Sequence, residues 1–144
     1  YNFDLVKEQI KIAAKYKLSS NQDGLNSKGH SIECRINAED PNTFIPSPGL
    51  ITNYHAPSGP GIRVDSNCYT GLEISPYYDS LIAKLIVYDQ DRPSCIQRLK
   101  RALDEFIIEG IKTTIPFFQE IITQEDFLKG SYDINWLENY KKIN

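Results

Sequence analysis

The sequence contains no methionine. It therefore lacks an initiator, and the 144 residues are expected to be a piece of a longer polypeptide. Histidine is scarce, with only His30 and His55, and cysteine is limited to Cys34, Cys68 and Cys95. With no CxxC, no HExxH and no His/Cys cluster at ligand spacing, no metal site is expected. Three widely spaced cysteines argue against a disulfide framework and suit a reducing compartment. No apolar run is long enough to span a bilayer, and no signal-peptide pattern opens the chain. An Asn-x-Ser/Thr acceptor is also missing. A formal net charge of −3 gives no global pull toward nucleic acid or anionic lipid.

Several catalytic frames are absent as well. Gly59-Pro60-Gly61 has neither a Walker Lys-Ser/Thr nor a GxGxxG frame, and Pro60 removes an amide donor, so it reads as a tight turn. Ser80 does not sit on a GxSxG elbow, which sets aside a Ser80–His55–Asp79 triad.

What is present is a chain of ordinary single-domain size, 40% hydrophobic and 24% charged. Its most informative stretch is Gly29 to Pro41, GHSIECRINAEDP. His30, Ile32, Cys34 and Ile36 alternate with Ser31, Glu33, Arg35 and Asn37, as in a strand with one face on a core. Arg35 is thus held in mid-strand, always charged, with a planar fork of donors that suits a carboxylate-like anion. Two readings stand side by side: a surface pair with Glu33 or a cross-strand acid, or a fixed anion site.

Around this strand the pattern predicts an α+β arrangement. A helix is expected over residues 2–16, with Asp4 at its start and Val6, Ile10 and Ala13 on one apolar face. Residues 18–28 are rich in Ser, Asn, Asp and Gly and form the expected seam. Short strands follow at 50–55 and 62–65. Residues 81–88 are a strand apolar on both faces apart from Lys84. Asp91 and Pro93 open a helix with Ile96, Leu99, Leu103 and Phe106 inside, its charges from Arg98 to Glu105 in solvent, and Gly110 at its end. Thr113 or Thr114 caps the next helix, and residues 135–142 form a last one. Arg63 reads either as an ion pair with Asp65 or as a protein contact. In SPYYDS, Asp79 reads as a strand-start anchor or part of an interface.

Taken together, GHSIECRINAEDPNTFIPSPG, GPGIRVDS, SPYYDSLIAKLIVY and EGIKTTIPF resemble the C-terminal lobe of biotin carboxylase, in order and over nearly the whole chain. The resemblance implies a small antiparallel sheet with flanking helices, a rudimentary single-hybrid-like domain, over residues 29–144. Residues 1–28 resemble the last helix and linker of the preceding ATP-grasp lobe. HAPSGPGIRVDS and GIKTTIPF look more like the acetyl-CoA carboxylase form than the pyruvate or propionyl-CoA forms. The resemblance implies an ATP-dependent ligase that makes carboxyphosphate from bicarbonate and MgATP and carboxylates biotin on a carrier protein. It places the ATP, the Mg and the general base on the upstream lobe. Arg35 would be the catalytic arginine that holds bicarbonate and then the biotin oxyanion. Arg63 would lie at a homodimer interface, with Pro60 where bacterial relatives commonly have Phe. The implied partners are the upstream lobe, a biotin carboxyl carrier protein, a second copy and a carboxyltransferase. The implied location is the cytoplasm, or alternatively a plastid or other organelle. A non-catalytic dimerisation lobe, or the equivalent lobe of a pyruvate or propionyl-CoA carboxylase, is the alternative.

Overall fold

A computed structural model describes residues 3–143. The body is a three-stranded antiparallel sheet in the order β1-β6-β4, built from β1 (His30–Asn37), β6 (Leu81–Asp89) and β4 (Ile62–Ser66). The fold is α+β, as the segregation of patterns predicts. β6 is the middle strand, but only one of its two apolar faces is sealed: Ala83, Leu85 and Val87 are buried, whereas on the face of Lys84 the side chain of Ile86 is half-buried and Tyr88 is exposed. Two small ribbons flank the sheet. β2 (Gly49–Leu50) pairs with β5 (Glu73–Ile74), and β3 (Asn53–His55) pairs with β7 (Ile107–Glu109).

The alternation of β1 is realised as expected. Cys34 and Ile36 are buried, while Ser31, Glu33 and Arg35 are exposed. The buried side of the sheet, which includes Ala83, Leu85 and Val87, is covered by α2 (Arg92–Glu105) through Cys95, Leu99, Ala102 and Leu103. Asp91 caps this helix by accepting from the Ser94 amide at 2.8 Å. The expected stripe of Ile96, Leu99, Leu103 and Phe106 is buried throughout.

Several expectations need correction. The helix before residue 110 ends at Glu105, not at Gly110. Residues 107–109 are drawn out as β7 because β3 offers them an antiparallel partner, Tyr54 opposite Ile108. Gly110 turns the chain after that strand, at φ 94°, where a Cβ would run into the Leu50 carbonyl. Residues 50–55 are two strands with different partners rather than one. The charges of α2 are not all in solvent. Arg98 donates to Asp89 from Nε at 2.9 Å and from Nη2 at 2.6 Å, and also to the Pro60 carbonyl, tying α2 to the end of β6 and to the Gly59–Gly61 turn.

The first helix, α1 (Leu5–Ala13), starts on an Asp4 cap that accepts from Lys7 N at 2.9 Å. Asn2, where that helix is expected to begin, lies outside the described residues. It stops earlier than the periodicity predicts. Lys15 turns left-handed at φ 66°, and the amides of Lys15 and Tyr16 close on the carbonyls of Ile12 and Lys11. This closure is usually made with glycine. With Lys15 in that place, the stop left no mark in the sequence. α3 (Ile115–Ile121) follows Thr114, and α5 (Trp136–Ile143) lies close to its expected range. Between them α4 (Glu125–Lys129), which the periodicity does not predict, closes on Gly130.

Candidate functional site

Arg35 stands on the open face of the sheet, exposed. Among the described residues its guanidinium has no carboxylate partner, so the ion-pair reading is not what the structure adopts. Its cross-strand neighbour is Lys84, a second cation. Beyond Lys84 lies Asp65 on β4, and that acid is already engaged. Arg63 holds it in a two-pronged pair, Nε to Oδ1 at 2.7 Å and Nη2 to Oδ2 at 2.9 Å, which keeps the Asp65 carboxyl below its ordinary range. Like charges directly opposite one another on a sheet are unfavourable. A row Arg35–Lys84 with no acid closing on Arg35 therefore leaves donors directed at solvent, open to an external anion.

The backbone under Arg35 is unusual too. The β1–β6 ladder slips between Ile36 and Asn37, one residue past Arg35. Beyond the slip, the segment that begins Ala38-Glu39-Asp40-Pro41 is folded against two distant parts of the chain. Glu39 Oε1 accepts from Asn37 Nδ2 at 3.1 Å and from the Ser80 hydroxyl. Asp40 Oδ1 accepts from the amides of Asn42 and Thr43 at 2.9 and 3.0 Å, forming the turn that the Asp-Pro-Asn-Thr run favours. Its other oxygen accepts from Lys112 Nζ at 2.6 Å. With these donors around it, the Asp40 carboxyl lies well below the usual carboxylate range, the Lys112 bond being the main cause. Ser47 Oγ accepts from Lys112 N at 3.0 Å. Thr114 closes the clasp with bonds to Arg35 and Asn37 of β1. Thus AEDPNTFIPS and GIKTT, read separately in the sequence, are two halves of one clamp at the end of the Arg35 strand.

Other candidates fall apart. Ser80 bonds to Glu39, His55 lies 3.6 Å from Glu105, and Asp79 accepts from Leu81 N at 2.7 Å. No triad forms, and Asp79 is the strand-start anchor. Tyr77 and Tyr78 beside it are exposed. Arg63 forms an exposed ion pair with Asp65, the first of its two readings. Among the described residues no group of three or more His, Cys, Asp or Glu could hold a metal ion. No helix of the described residues is long and apolar enough to cross a membrane. A small cleft lined by Ala38, Pro46, Pro48, Tyr78 and Ser80 and another by Asp40, Asn42, Lys112 and Thr113 flank the clamp.

Residues 33–139 match the family model of the biotin carboxylase C-terminal domain. The chain is 50% identical to a biotin carboxylase of Haemophilus influenzae over 141 residues, covering 98% of this chain and 32% of that protein. It is 51% identical to a pyruvate carboxylase component of Methanothermobacter thermautotrophicus over 140 residues, covering 96% of this chain and 28% of that one. The biotin carboxylase domain dimer of the Hydrogenobacter thermophilus 2-oxoglutarate carboxylase, solved with MgADP, ADP and bicarbonate, superposes with a TM-score of 0.88 at 46% identity. It covers 98% of this chain and 31% of that one. The chain thus spans about a third of the length of the relatives it matches. Fold, motif order and identity over nearly all of its length agree: this chain belongs to the biotin carboxylase C-terminal domain family.

Proposed function

We propose that this chain is the C-terminal lobe of an ATP-dependent biotin carboxylase and that Arg35 is its catalytic cation. The observation that carries the reading is Arg35 itself: mid-strand, exposed, set opposite Lys84 and given no carboxylate of its own. A guanidinium left unpaired in this way can donate its fork to bicarbonate. It can then donate to the oxyanion that develops as the acceptor is carboxylated. Donors fixed before the reaction stabilise charge that appears only in the transition state. Lys84 strengthens the local positive field. Glu33, two positions away on the same face, makes no bond to Arg35 that would quench it.

Biotin on its carrier, when bound, supplies the ureido nitrogen that accepts the carboxyl group. The Mg and its nucleotide are assigned, on the family resemblance, to the upstream lobe; among the described residues no group of three or more His, Cys, Asp or Glu could hold a metal ion. The homodimer contact is assigned to the Arg63 side of the sheet. The partners in this reading are the upstream ATP-grasp lobe, the carboxyl carrier protein and a carboxyltransferase, in the cytoplasm or an organelle such as a plastid. The acetyl-CoA form is preferred on the HAPSGPGIRVDS and GIKTTIPF motifs. The second reading, a lobe of a pyruvate or 2-oxoglutarate carboxylase, is favoured by relatives of those names at similar identity.

The test is Arg35→Ala in the full-length enzyme, assayed for biotin-dependent ATP turnover at saturating bicarbonate and biotin. A fall of about 100- to 1000-fold in kcat is expected for loss of such a donor. Arg35→Lys is expected to recover little of it, because the ammonium lacks the planar fork. Unchanged turnover in Arg35→Ala would assign the lobe a non-catalytic role.

A further inference from the structure

Arg35 sits where its own strand is least well supported. β1 is an edge strand, with β6 on one side only. The ladder to β6 slips one residue after Arg35, and the residue opposite Arg35 is a cation that pushes it away. An edge strand also leaves alternate amides and carbonyls without sheet partners. At Arg35 and Asn37 those groups meet a single residue, Thr114. Its hydroxyl accepts from Asn37 N at 3.0 Å and donates to the carbonyl of Arg35 at 3.3 Å, while its own amide donates to the Asn37 carbonyl at 3.1 Å. Thr114 is 4% exposed, so its side of these bonds is shielded from solvent.

The helix-cap position makes the arrangement more telling. Thr114 occupies the N-cap of α3, where a threonine hydroxyl would ordinarily bond back to an amide of its own helix. Here it makes no such capping bond. The hydroxyl is spent across the chain, on the backbone that carries Arg35.

We infer that Thr114 is a positioning residue for Arg35: its hydroxyl replaces the missing neighbour strand and fixes the direction in which the guanidinium leaves the sheet. The inference rests on the catalytic reading of Arg35 given above. It names a residue that acts through another and touches no substrate itself.

The test uses the full-length enzyme with Thr114→Val, which keeps the shape and removes the hydroxyl, and Thr114→Ser, which restores it. Thr114→Val is expected to lower kcat between about 10- and 100-fold, the scale of a misplacement near 1 Å. KM for ATP, whose site is assigned outside this chain, stays unchanged. Thr114→Ser keeps activity near that of the parent. In an Arg35→Ala background Thr114→Val has no further effect on kcat, because the group it positions is gone. The inference is overturned if Arg35→Ala is crippled while Thr114→Val is not, or if Thr114→Val costs the same factor in both backgrounds. Should Thr114→Val not fold, Thr114→Ala and Thr114→Ser are compared instead. The serine variant is expected to be the faster, and equal rates overturn the inference. A normal Arg35→Ala enzyme would instead sink the catalytic reading itself, a different and separately visible outcome.

Discussion

Two helices of this chain, α1 and α2, carry comparable apolar stripes and sit in opposite surroundings. The stripe of α2 is pressed onto β1 and β6, with Leu99 and Ala102 fully buried. In α1 the expected inner residues Val6 and Ile10 are about two-thirds exposed, and Leu5 is 70% exposed. The side chain that α1 does bury is an acid. Glu8 accepts from Lys11 Nζ at 2.7 Å and from Ser19 N at 3.1 Å, folding the segment after the helix back on it. Periodicity therefore identifies a face that avoids water, but not the surface that covers it. In the reading proposed above, the cover for α1 is the upstream lobe.

The largest expected effect tests that contrast directly. Leu99→Ala should lower the unfolding free energy of the chain by about 2–5 kcal/mol, the range for emptying a filled core site. Ile10→Ala should change it by no more than about 0.5 kcal/mol, as for a surface position. Urea titrations of the two variants decide it, and similar losses would erase the distinction between the helices. In the full-length protein Ile10→Ala should cost more than in this chain alone, if α1 is covered there.

A smaller effect follows the same contrast into β1 and its surroundings. Burial, with Glu33 alongside, pushes the Cys34 thiol up to about 12, and burial raises Cys95 as well. Cys68 is only half-buried. Under native conditions near pH 8, Cys68 should react at least about tenfold faster with an aromatic disulfide reagent than either of the others. Rapid labelling of Cys34 would mean that α2 does not seal the sheet.

The smallest effect is electrostatic and belongs to α1. The Lys11 bond and the Ser19 contacts hold the Glu8 carboxyl down at about 2, from an ordinary 4.5. A depressed acid contributes stability above its unfolded value and loses it as pH falls toward the folded one. The fold-back of Ser19 onto α1 should therefore loosen between about pH 4.5 and pH 2, seen as loss of protection at the Ser19 amide. In Glu8→Gln that protection should be weak already at neutral pH and should not respond to acid over this window.

The long elements were legible because their physics is local. The alternation in β1 and the Asp91 cap of α2 each state their own structure, whereas the two-sided apolarity of β6 does not show that one of its faces stays partly open. Arg35 could be read as a fixed cation on the same grounds. What stayed hidden depends on partners far along the chain. β7 exists because β3 pairs with it, so a stretch that ends in glycine looked like the tail of a helix. Arg98 looked like one more solvated charge until Asp89 and the Pro60 carbonyl came beside it. Thr113 and Thr114 were both visible as candidate helix caps, but no local rule could show that the Thr114 hydroxyl serves a strand nearly eighty positions earlier. The Asp-Pro-Asn-Thr turn was the one signal near the clamp that composition could have supplied.

The clasp between the Asp40 turn and Lys112–Thr114 also bears on how the protein is made. Chains emerge from the ribosome N-terminus first and tend to fold as units. The strand bearing Arg35 therefore leaves the exit tunnel long before the residues that bond to it. Until Thr114 arrives, the newborn polypeptide holds Arg35 on an unlatched edge, and a message truncated before that codon would yield a strand without its latch.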